Sequence, residues 1–490
     1  MASFRIIQGG MGVAVSSWHL ANTVSSLGQL GVVSGTALDQ VFARRLQDGD
    51  AGGHMRRALD HFPFPAMADR VRNAWFIEGG KAAEAPYRKV PSHKKESARE
   101  LQELLLTSNF AEVFLAKQGH SNPVGINFLE KIQLPHLVSI YGAMLAGVDY
   151  ILMGAGIPTR IPGVLDLYVN HEPATYPLYV AGAQPGDDTT IRFNPRDYME
   201  VDLPPLRRPN FLAIIASNTL AITLLKKSNG RVDGFIIEGP TAGGHNAPPR
   251  GKLQLNDAGE PIYGERDVVD LVKMCELGVP FYLAGGYGSA EKIREALTAG
   301  AAGVQVGTPF AFCNESGLRE DYRFALLERA AAGQARVATD PNASPTGFPF
   351  KVAQLAGTVS DHEVYLARPR VCDLGYLREA YRTADGGLDY RCASEPVTVY
   401  VSKGGKLEDS VGRKCICNGL FANINHAQRR GNGRVEPGVI TAGDDLAELA
   451  RFLPAEGLGY SAAEVVRRLL VGVDLYMQGQ LKREAVPSGA

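Results

Sequence analysis

Short apolar runs alternate with amphipathic segments along the first two-thirds of the chain. Eight of the runs have strand length and little internal alternation, a pattern typical of parallel strands that are buried on both faces. These runs predict strands at residues 5–8, 30–34, 124–128, 150–154, 211–217, 234–238, 281–284 and 303–307. Apolar residues at helical spacing predict helices between several of them, at residues 16–27, 136–146, 267–277 and 290–299.

The repeat of strand and helix indicates the fold class. Eight such units predict an α/β fold, a closed TIM-type (β/α)8 barrel, and an open doubly wound sheet is the second choice. Two segments depart from the repeat: residues 36–99 are long and polar, and residues 176–209 have a hairpin pattern. We therefore expect a barrel over residues 1–340, with insertions at about 36–99 and 176–209.

The repeat is lost near Asp340. The segment ATDPNASPTGFPF, residues 338–350, is rich in proline and predicts a linker. Residues 461–480 have helical spacing, and Ser461 is placed to cap that helix. We expect residues 341–490 to form an extra, mainly helical C-terminal region that serves as an extension or a lid.

Composition favours a small or neutral ligand. The chain has 490 residues, of which 45% are hydrophobic and 21% charged, so it can bury large cores. Its formal net charge of −1 provides no global field to attract nucleic acid or acidic membranes. The first residues lack the pattern of a signal peptide, and the longest apolar stretch is interrupted and too short to span a bilayer. We expect a cytoplasmic protein with no nucleic-acid or membrane partner.

Four of the six cysteines lie in the C-terminal third, at Cys372, Cys392, Cys415 and Cys417. A C-x-C pair with two distant cysteines could bind zinc or an iron–sulfur cluster, but the spacing matches none of the common signatures. Reduced thiols are the default in a long chain without an export signal. We expect isolated reduced cysteines and no metal site.

Glycines are concentrated where the predicted strands end. In a parallel barrel, ligands bind at the carboxyl ends of the strands. Five of the seven segments found there contain glycines packed together, and glycine lets the backbone approach a ligand closely and offers free N–H donors. The segments are QGGMG, INF, MGAG, IAS, EGPTAGGH, AGGYGS and QVGTPF, at residues 8–12, 126–128, 153–156, 215–217, 238–245, 284–289 and 305–310.

The last two of these segments indicate a phosphate site. Gly285 and Gly286 end the seventh predicted strand, and Ser289 can cap the helix that follows. The unpaired N–H groups and the dipole of a helix N-terminus favour an anion. Gly307 and the hydroxyl of Thr308 occupy the corresponding place one unit later. Loops seven and eight are the usual phosphate site of this barrel. The alternative is that these glycines only form tight turns.

His245 follows two glycines at the end of the sixth predicted strand. This position predicts a histidine in the mouth of the barrel, where an imidazole can donate or accept a proton near neutral pH. The alternative is a loop histidine that bonds only to the backbone. Glu238, at the end of the same strand, is either a second polar group in the mouth or a structural partner of nearby N–H groups.

These motifs, in this order, resemble the nitronate monooxygenase family, also called the 2-nitropropane dioxygenase family. The flavin-dependent enoyl-ACP reductases are similar. The resemblance covers roughly residues 4–315 and rests on IIQGGMG, GVVSG, VGIN, MGAG, EGPTAGGH, AGGYGS and GVQVGTPF. It implies a barrel that binds FMN. The sequence departs from the family after the histidine, where it continues AGGHNAPPRG.

The resemblance also implies the site residues. His245 would contact the substrate beside the flavin. The residues that it implies for binding FMN are Gly10, Met11, Asn127, Ser217, Gly244, Gly285, Gly286, Gln305, Gly307 and Thr308.

The expected activity is FMN-dependent oxidation of nitronates or nitroalkanes with oxygen. The enzymatic alternative is an enoyl-thioester reductase linked to fatty acid or polyketide synthesis, with NAD(P)H as electron donor and an acyl carrier protein as partner. A hypothesis of another class is a barrel that binds a phosphorylated ligand and acts as a scaffold.

Overall fold

The structure, a computed structural model, describes residues 4–473. Its strands are β1 (Ile6–Gln8), β2 (Gly31–Ser34), β3 (Val124–Leu129), β4 (Tyr150–Gly154), β5 (Ala174–Pro177), β6 (Val180–Ala181), β7 (Thr190–Phe193), β8 (Asn210–Ile215), β9 (Gly234–Glu238), β10 (Gly244–His245), β11 (Phe281–Ala284), β12 (Gly303–Val306), β13 (Val337–Asp340), β14 (Phe350–Ala353), β15 (Glu379–Arg382) and β16 (Leu388–Arg391).

The helices follow the strands along the chain. The α-helices are α1 (Trp18–Ser26), α2 (Leu38–Gln47), α3 (His54–Asp60), α4 (Pro65–Trp75), α5 (Arg99–Ala116), α6 (His136–Leu145), α7 (Ile161–Val169), α8 (Asn218–Lys227), α9 (Leu271–Glu276), α10 (Ala290–Thr298), α11 (Thr308–Ala311), α12 (Glu320–Ala331), α13 (His362–Ala367), α14 (Val397–Ser402), α15 (Ile416–Ala422) and α16 (Ala462–Leu470). Short 3-10 helices lie at Ala51–Gly53, Pro195–Asp197, Glu265–Asp267, Leu407–Ser410 and Asp444–Phe452. Within residues 4–473, no helix has both the length and the hydropathy needed to cross a membrane.

Eight parallel strands form the barrel, in the order β1-β12-β11-β9-β8-β4-β3-β2. The ends of this sheet meet through a parallel bridge between Ile7 and Leu30. Two backbone hydrogen bonds support the bridge, from Gln8 N to Leu30 O at 2.9 Å and from Leu30 N to Ile6 O at 3.0 Å. The prediction of a TIM-type barrel is confirmed, and each of the eight predicted strands is present to within two residues at either end.

Aromatic side chains fill the amino end of the barrel. The ring of Phe4, which precedes β1, stacks on Tyr282 with centroids 5.5 Å apart and meets Tyr150 edge-on at 5.4 Å. Both tyrosines lie at the amino ends of their strands and are buried. Because this end is packed with side chains, a ligand site can form only toward the carboxyl ends of the strands.

Residues 36–99 and 176–209 carry additional elements. The first segment contains helices α2 to α4. In the second, β5 and β7 pair in antiparallel fashion, with Ala174 opposite Phe193 and Pro177 opposite Thr190, so the predicted hairpin is confirmed. Strand β6 lies between them in sequence and pairs with β15 of the C-terminal region.

The predicted proline-rich linker is wrong. Strands β13 and β14 pair in antiparallel fashion, and residues 341–349 form the loop that joins them. Strand β14 also pairs with β10, whose two residues end in His245. The prolines correctly mark a turn, but strands of four residues on either side are too short to give a clear alternating pattern. The segment therefore packs against the barrel mouth.

The last helix begins as predicted. The hydroxyl of Ser461 accepts a hydrogen bond from Glu464 N at 3.1 Å, which is the expected N-cap of α16. Residues 474–480 of the predicted helix lie outside the described residues.

The four cysteines of the C-terminal third are close together in space. They line one small cavity, and Cys372 and Cys392 lie close enough for each to shift the pKa of the other. The expectation that these residues are isolated is therefore wrong, because the fold brings Cys372, Cys392, Cys415 and Cys417 together from distant positions. All six cysteines are free. The absence of a metal site stays a prediction.

Candidate active site

A cavity lies at the carboxyl ends of the barrel strands, between the barrel and the C-terminal region. The structure brings ten of the eleven residues named from the sequence to its wall: Gly10, Met11, Asn127, Gly244, His245, Gly285, Gly286, Gln305, Gly307 and Thr308. Ser217 is not among the lining residues. Its hydroxyl accepts a hydrogen bond from Leu220 N at 3.1 Å and caps α8.

Two amide side chains present unpaired oxygen atoms in this cavity. The Nδ2 group of Asn127 donates to the carbonyl of Gly10 at 3.0 Å, while Oδ1 is buried without a partner among residues 4–473. Oε1 of Gln305 is also buried and has no hydrogen-bond partner among these described residues. An unsatisfied buried polar atom is costly, so both oxygens are suited to accept hydrogen bonds from a ligand.

Gly10 allows the close packing beside Asn127. A Cβ atom added at Gly10 would lie 2.4 Å from the Cβ of Asn127, which is closer than side chains tolerate. The absence of a side chain therefore keeps the amide of Asn127 next to the first strand and leaves this part of the cavity free.

The two glycine loops expose backbone N–H groups. Gly285 and Gly286 have φ values of 87° and 74°, in the left-handed region that favours glycine. Ser289 caps α10 by accepting from Lys292 N at 3.2 Å, as predicted from the sequence. Gly307 directly precedes α11. A Cβ atom added at Gly307 would lie 3.4 Å from the sulfur of Met11. This arrangement suits a bound phosphate.

Groups of the C-terminal region share this part of the cavity. The hydroxyl of Thr308 accepts a hydrogen bond from Gly443 N at 2.8 Å. The carboxyl group of Asp445 also lines the cavity, and burial raises its pKa. The N–H groups that remain for a phosphate are therefore those of the glycine loops.

His245 is held by residues of the β13–β14 loop. Its Nε2 lies 2.7 Å from the hydroxyl of Ser344, which is itself 2.8 Å from the hydroxyl of Thr346. The ring of Phe350 meets the imidazole edge-on, with centroids 4.8 Å apart. Nδ1 has no hydrogen-bond partner among residues 4–473. Burial lowers the pKa of His245 to about 4, so its imidazole is neutral at neutral pH.

Glu238 lies at the carboxyl end of β9 and lines the same cavity. Its carboxyl group has no hydrogen-bond partner among the described residues, so the alternative of a structural partner for N–H groups is wrong. Burial raises the pKa of Glu238 to about 8, which keeps the carboxyl group protonated at neutral pH.

The C-terminal region supplies a wall whose residues the sequence analysis did not name. Apolar side chains of this region line the cavity opposite the barrel: Tyr376, Ile416, Leu420, Phe421 and Ile440. Two hydrogen bonds fix the wall to the segment after β9, from Gly244 N to the Thr441 side-chain Oγ1 at 2.7 Å and from Asp444 N to the Thr241 carbonyl at 3.0 Å. These contacts join residues about 200 positions apart, and no local pattern signals them.

Comparisons with known proteins match the barrel. Residues 207–338 match the family model described as nitronate monooxygenase, and they include the histidine and both glycine loops. A nitronate monooxygenase of Pseudomonas aeruginosa strain PAO1 is 25% identical over 288 residues, which are 59% of this chain and 74% of that protein. The resemblance to the nitronate monooxygenase family is confirmed.

Further relatives cover smaller parts. A probable nitronate monooxygenase of Bacillus subtilis strain 168 is 32% identical over 133 residues, which are 26% of this chain and 36% of that protein. Among solved structures, FabK from Thermotoga maritima is 14% identical with a TM-score of 0.48, and the alignment covers 98% of this chain and 96% of that one. The similarity to nitronate monooxygenases confirms the expectation of an enzyme, a flavin-dependent oxidoreductase.

Proposed function

We propose that this chain is an FMN-dependent oxidoreductase that oxidises nitronates or nitroalkanes with oxygen. The main support is the convergence of His245, two unpaired amide oxygens and two glycine loops on one cavity. The family match covers the segment that carries the histidine and both loops.

The residues present fit a flavin mononucleotide. One of the amide oxygens of Asn127 and Gln305 would accept a hydrogen bond from the single N–H group of the oxidised ring, and the N–H groups of the glycine loops would hold the phosphate. Met11 would lie against the ring. Bound FMN would supply the capacity to take electrons from the substrate and pass them to oxygen, while the protein contributes orientation and electrostatics.

His245 would receive the substrate proton. In the tautomer whose Nε2–H donates to Ser344, Nδ1 carries a free lone pair, and it has no partner among residues 4–473. A neutral imidazole in this position can accept the proton of a neutral nitroalkane. Because Glu238 is protonated at neutral pH, it places no negative charge next to the nitronate that results.

Oxygen uptake tests the activity. The flavin-loaded protein is given propyl-2-nitronate or 2-nitropropane, and oxygen consumption and nitrite release are followed. We expect both substrates to consume oxygen, and the nitronate to react faster because it needs no proton removed. No uptake with either compound by a flavin-loaded protein would contradict the proposal.

A second candidate is an enoyl-thioester reductase that uses NAD(P)H and an acyl carrier protein. The apolar wall favours it, since the side chains of Ile416, Leu420 and Ile440 would suit an acyl chain. NADPH oxidation that depends on crotonyl-coenzyme A, in the absence of oxygen, would support the reductase. The same assay with no thioester-dependent oxidation would exclude it for this substrate.

A further inference from the structure

A second cavity lies within the C-terminal region and is strongly basic. Its volume is about 130 Å³, and its lining residues are Val359, Tyr365, Leu366, Arg368, Arg370, Arg413, Lys414 and Cys415. Four of these eight residues are cations, and none is a carboxylate. We call this cavity the basic pocket. Leu366 at its edge is 66% exposed, so the basic pocket is reached from solvent.

Two of the four cations lack a carboxylate partner. Arg368 pairs with Glu436 and Lys414 with Asp340, each at 2.7 Å. Among residues 4–473, neither Arg370 nor Arg413 forms an ion pair. The basic pocket therefore keeps positive charge that the described part of the chain does not neutralise.

The two unpaired arginines bond to backbone carbonyls. Arg370 donates to Ser410 O at 2.8 Å and Ala393 O at 3.2 Å. Arg413 donates to Ser344 O at 2.6 Å, and also to two other carbonyls. Such bonds explain how the guanidinium groups are held in place. They do not explain why four cations face one cavity.

A buried donor in the basic pocket also lacks a partner. The side chain of Arg368 is only 5% exposed, and its Nη2 is buried with no hydrogen-bond acceptor among the described residues. Leaving a charged donor unsatisfied in a protein interior is costly. The pairing with Glu436 therefore leaves part of the hydrogen-bonding capacity of Arg368 unused.

We propose that the basic pocket binds the phosphate group of a phosphorylated ligand. A carboxylate has two oxygens and can be held by one guanidinium group, so it would not need several cations around it. A phosphate offers at least three acceptor oxygens and can bind several guanidinium groups at once. The volume is below the range of about 300–1,000 Å³ that is usual for whole small-molecule ligands. The basic pocket therefore holds free phosphate or the phosphate end of a larger ligand.

The basic pocket is close to the active site. Arg413 donates to the backbone oxygen of Ser344, and the hydroxyl of the same serine contacts His245. Arg413 and Ser344 therefore link the basic pocket to the imidazole. The phosphate proposal rests on the residues of the basic pocket and does not depend on the proposed activity.

Calorimetric titration tests the proposal. The protein is first saturated with FMN, so that the glycine loops are occupied, and ionic strength is held constant with chloride. Inorganic phosphate, NADPH and 4′-phosphopantetheine are the three probes. We expect at least one to bind, and Arg370→Gln or Arg413→Gln to weaken that binding about tenfold or more. Arg336→Gln is the control, because Arg336 lies outside the basic pocket and, among the described residues, donates to backbone carbonyls without an ion pair.

The pattern of binding identifies the source of the phosphate. Binding of inorganic phosphate alone indicates a free anion, and tighter binding of either ester indicates the end of a larger ligand. Absence of binding for all three probes overturns the proposal, and so does equal affinity in the wild type and both pocket variants.

A measurement on the wild type covers the case in which the variants fail to fold. Phenylglyoxal modifies accessible arginines, and the modified positions are read by mass spectrometry. Whichever of the three phosphate probes binds in the titration should slow the modification of Arg370 and Arg413 by phenylglyoxal. It should not slow the modification of Arg336. Equal rates with and without the probe would overturn the proposal.

Discussion

His245 and Glu238 line the same cavity, and burial shifts their pKa values in opposite directions. The pKa of the imidazole falls to about 4 and that of the carboxyl group rises to about 8. Both groups are therefore uncharged near neutral pH. A cavity in which both His245 and Glu238 are uncharged suits a substrate that becomes an anion during the reaction.

The role of the imidazole is tested by His245→Ala. If His245 accepts the proton of a nitroalkane, the variant should keep its flavin and lose about 10²–10⁴-fold in turnover of 2-nitropropane. Turnover of the preformed nitronate should fall less. Stopped-flow reduction of the flavin by each substrate measures the difference. Unchanged rates with both substrates, or loss of flavin and fold, would show that the residue has no catalytic role.

The state of the carboxyl group is tested by Glu238→Gln. A carboxyl group whose pKa is raised on folding, from 4.5 to about 8, stabilises the fold fully below about pH 4.5, and this contribution is lost as the pH rises toward 8. The wild type should therefore lose up to about 1.4 kcal/mol of stability per pH unit relative to the variant in this range. Urea unfolding of the flavin-free wild type and variant at several pH values measures this difference in the free energy of unfolding. Parallel pH profiles would contradict the assignment.

At the scale of elements, the glycine loops after β11 and β12 expose backbone that side chains would cover. Gly307 is the more suitable position for a test, because its φ of −107° is open to any residue, whereas Gly285 and Gly286 have positive φ. An added Cβ would meet only the flexible side chain of Met11. A larger side chain can therefore fold here and still enter the cavity.

Gly307→Val should give folded protein with much less bound FMN than the wild type, because the isopropyl group blocks approach to the loop. Flavin content after purification and reconstitution with FMN measures the effect. The matched control is Gly264→Val, at an extended position with open space around it. Normal flavin content in the Gly307 variant would contradict the phosphate assignment of this loop.

The barrel strands could be predicted from the sequence because burial on both faces gives continuous apolar runs, such as residues 234–238, that need no knowledge of their neighbours. Gly285 and Gly307 could be placed for the same reason, since they directly follow β11 and β12, and His245 could be placed because it lies in the segment after β9. Ser344 could not, because its contact with His245 depends on the pairing of β10 with β14. The sequence also did not indicate that Ser217, which follows a strand, caps α8 and is not among the lining residues of the cavity.

At the scale of the whole molecule, the C-terminal region completes the cavity. We propose to treat residues 1–340 as the barrel and residues 341–490 as the region that covers its mouth. The same region contains the basic pocket, and the β13–β14 loop connects the two sites through Ser344. Substrate choice is therefore expected to depend on both parts of the chain.

The central claim is that the cavity at the strand ends holds a flavin that a nitronate reduces. The most direct test is an anaerobic titration of the purified, FMN-loaded protein with propyl-2-nitronate, followed through the absorbance of oxidised flavin. We predict that this absorbance is lost in proportion to the nitronate added and returns when oxygen is admitted. A colourless protein that cannot be loaded with FMN, or a flavin that stays oxidised in excess nitronate, would contradict the account.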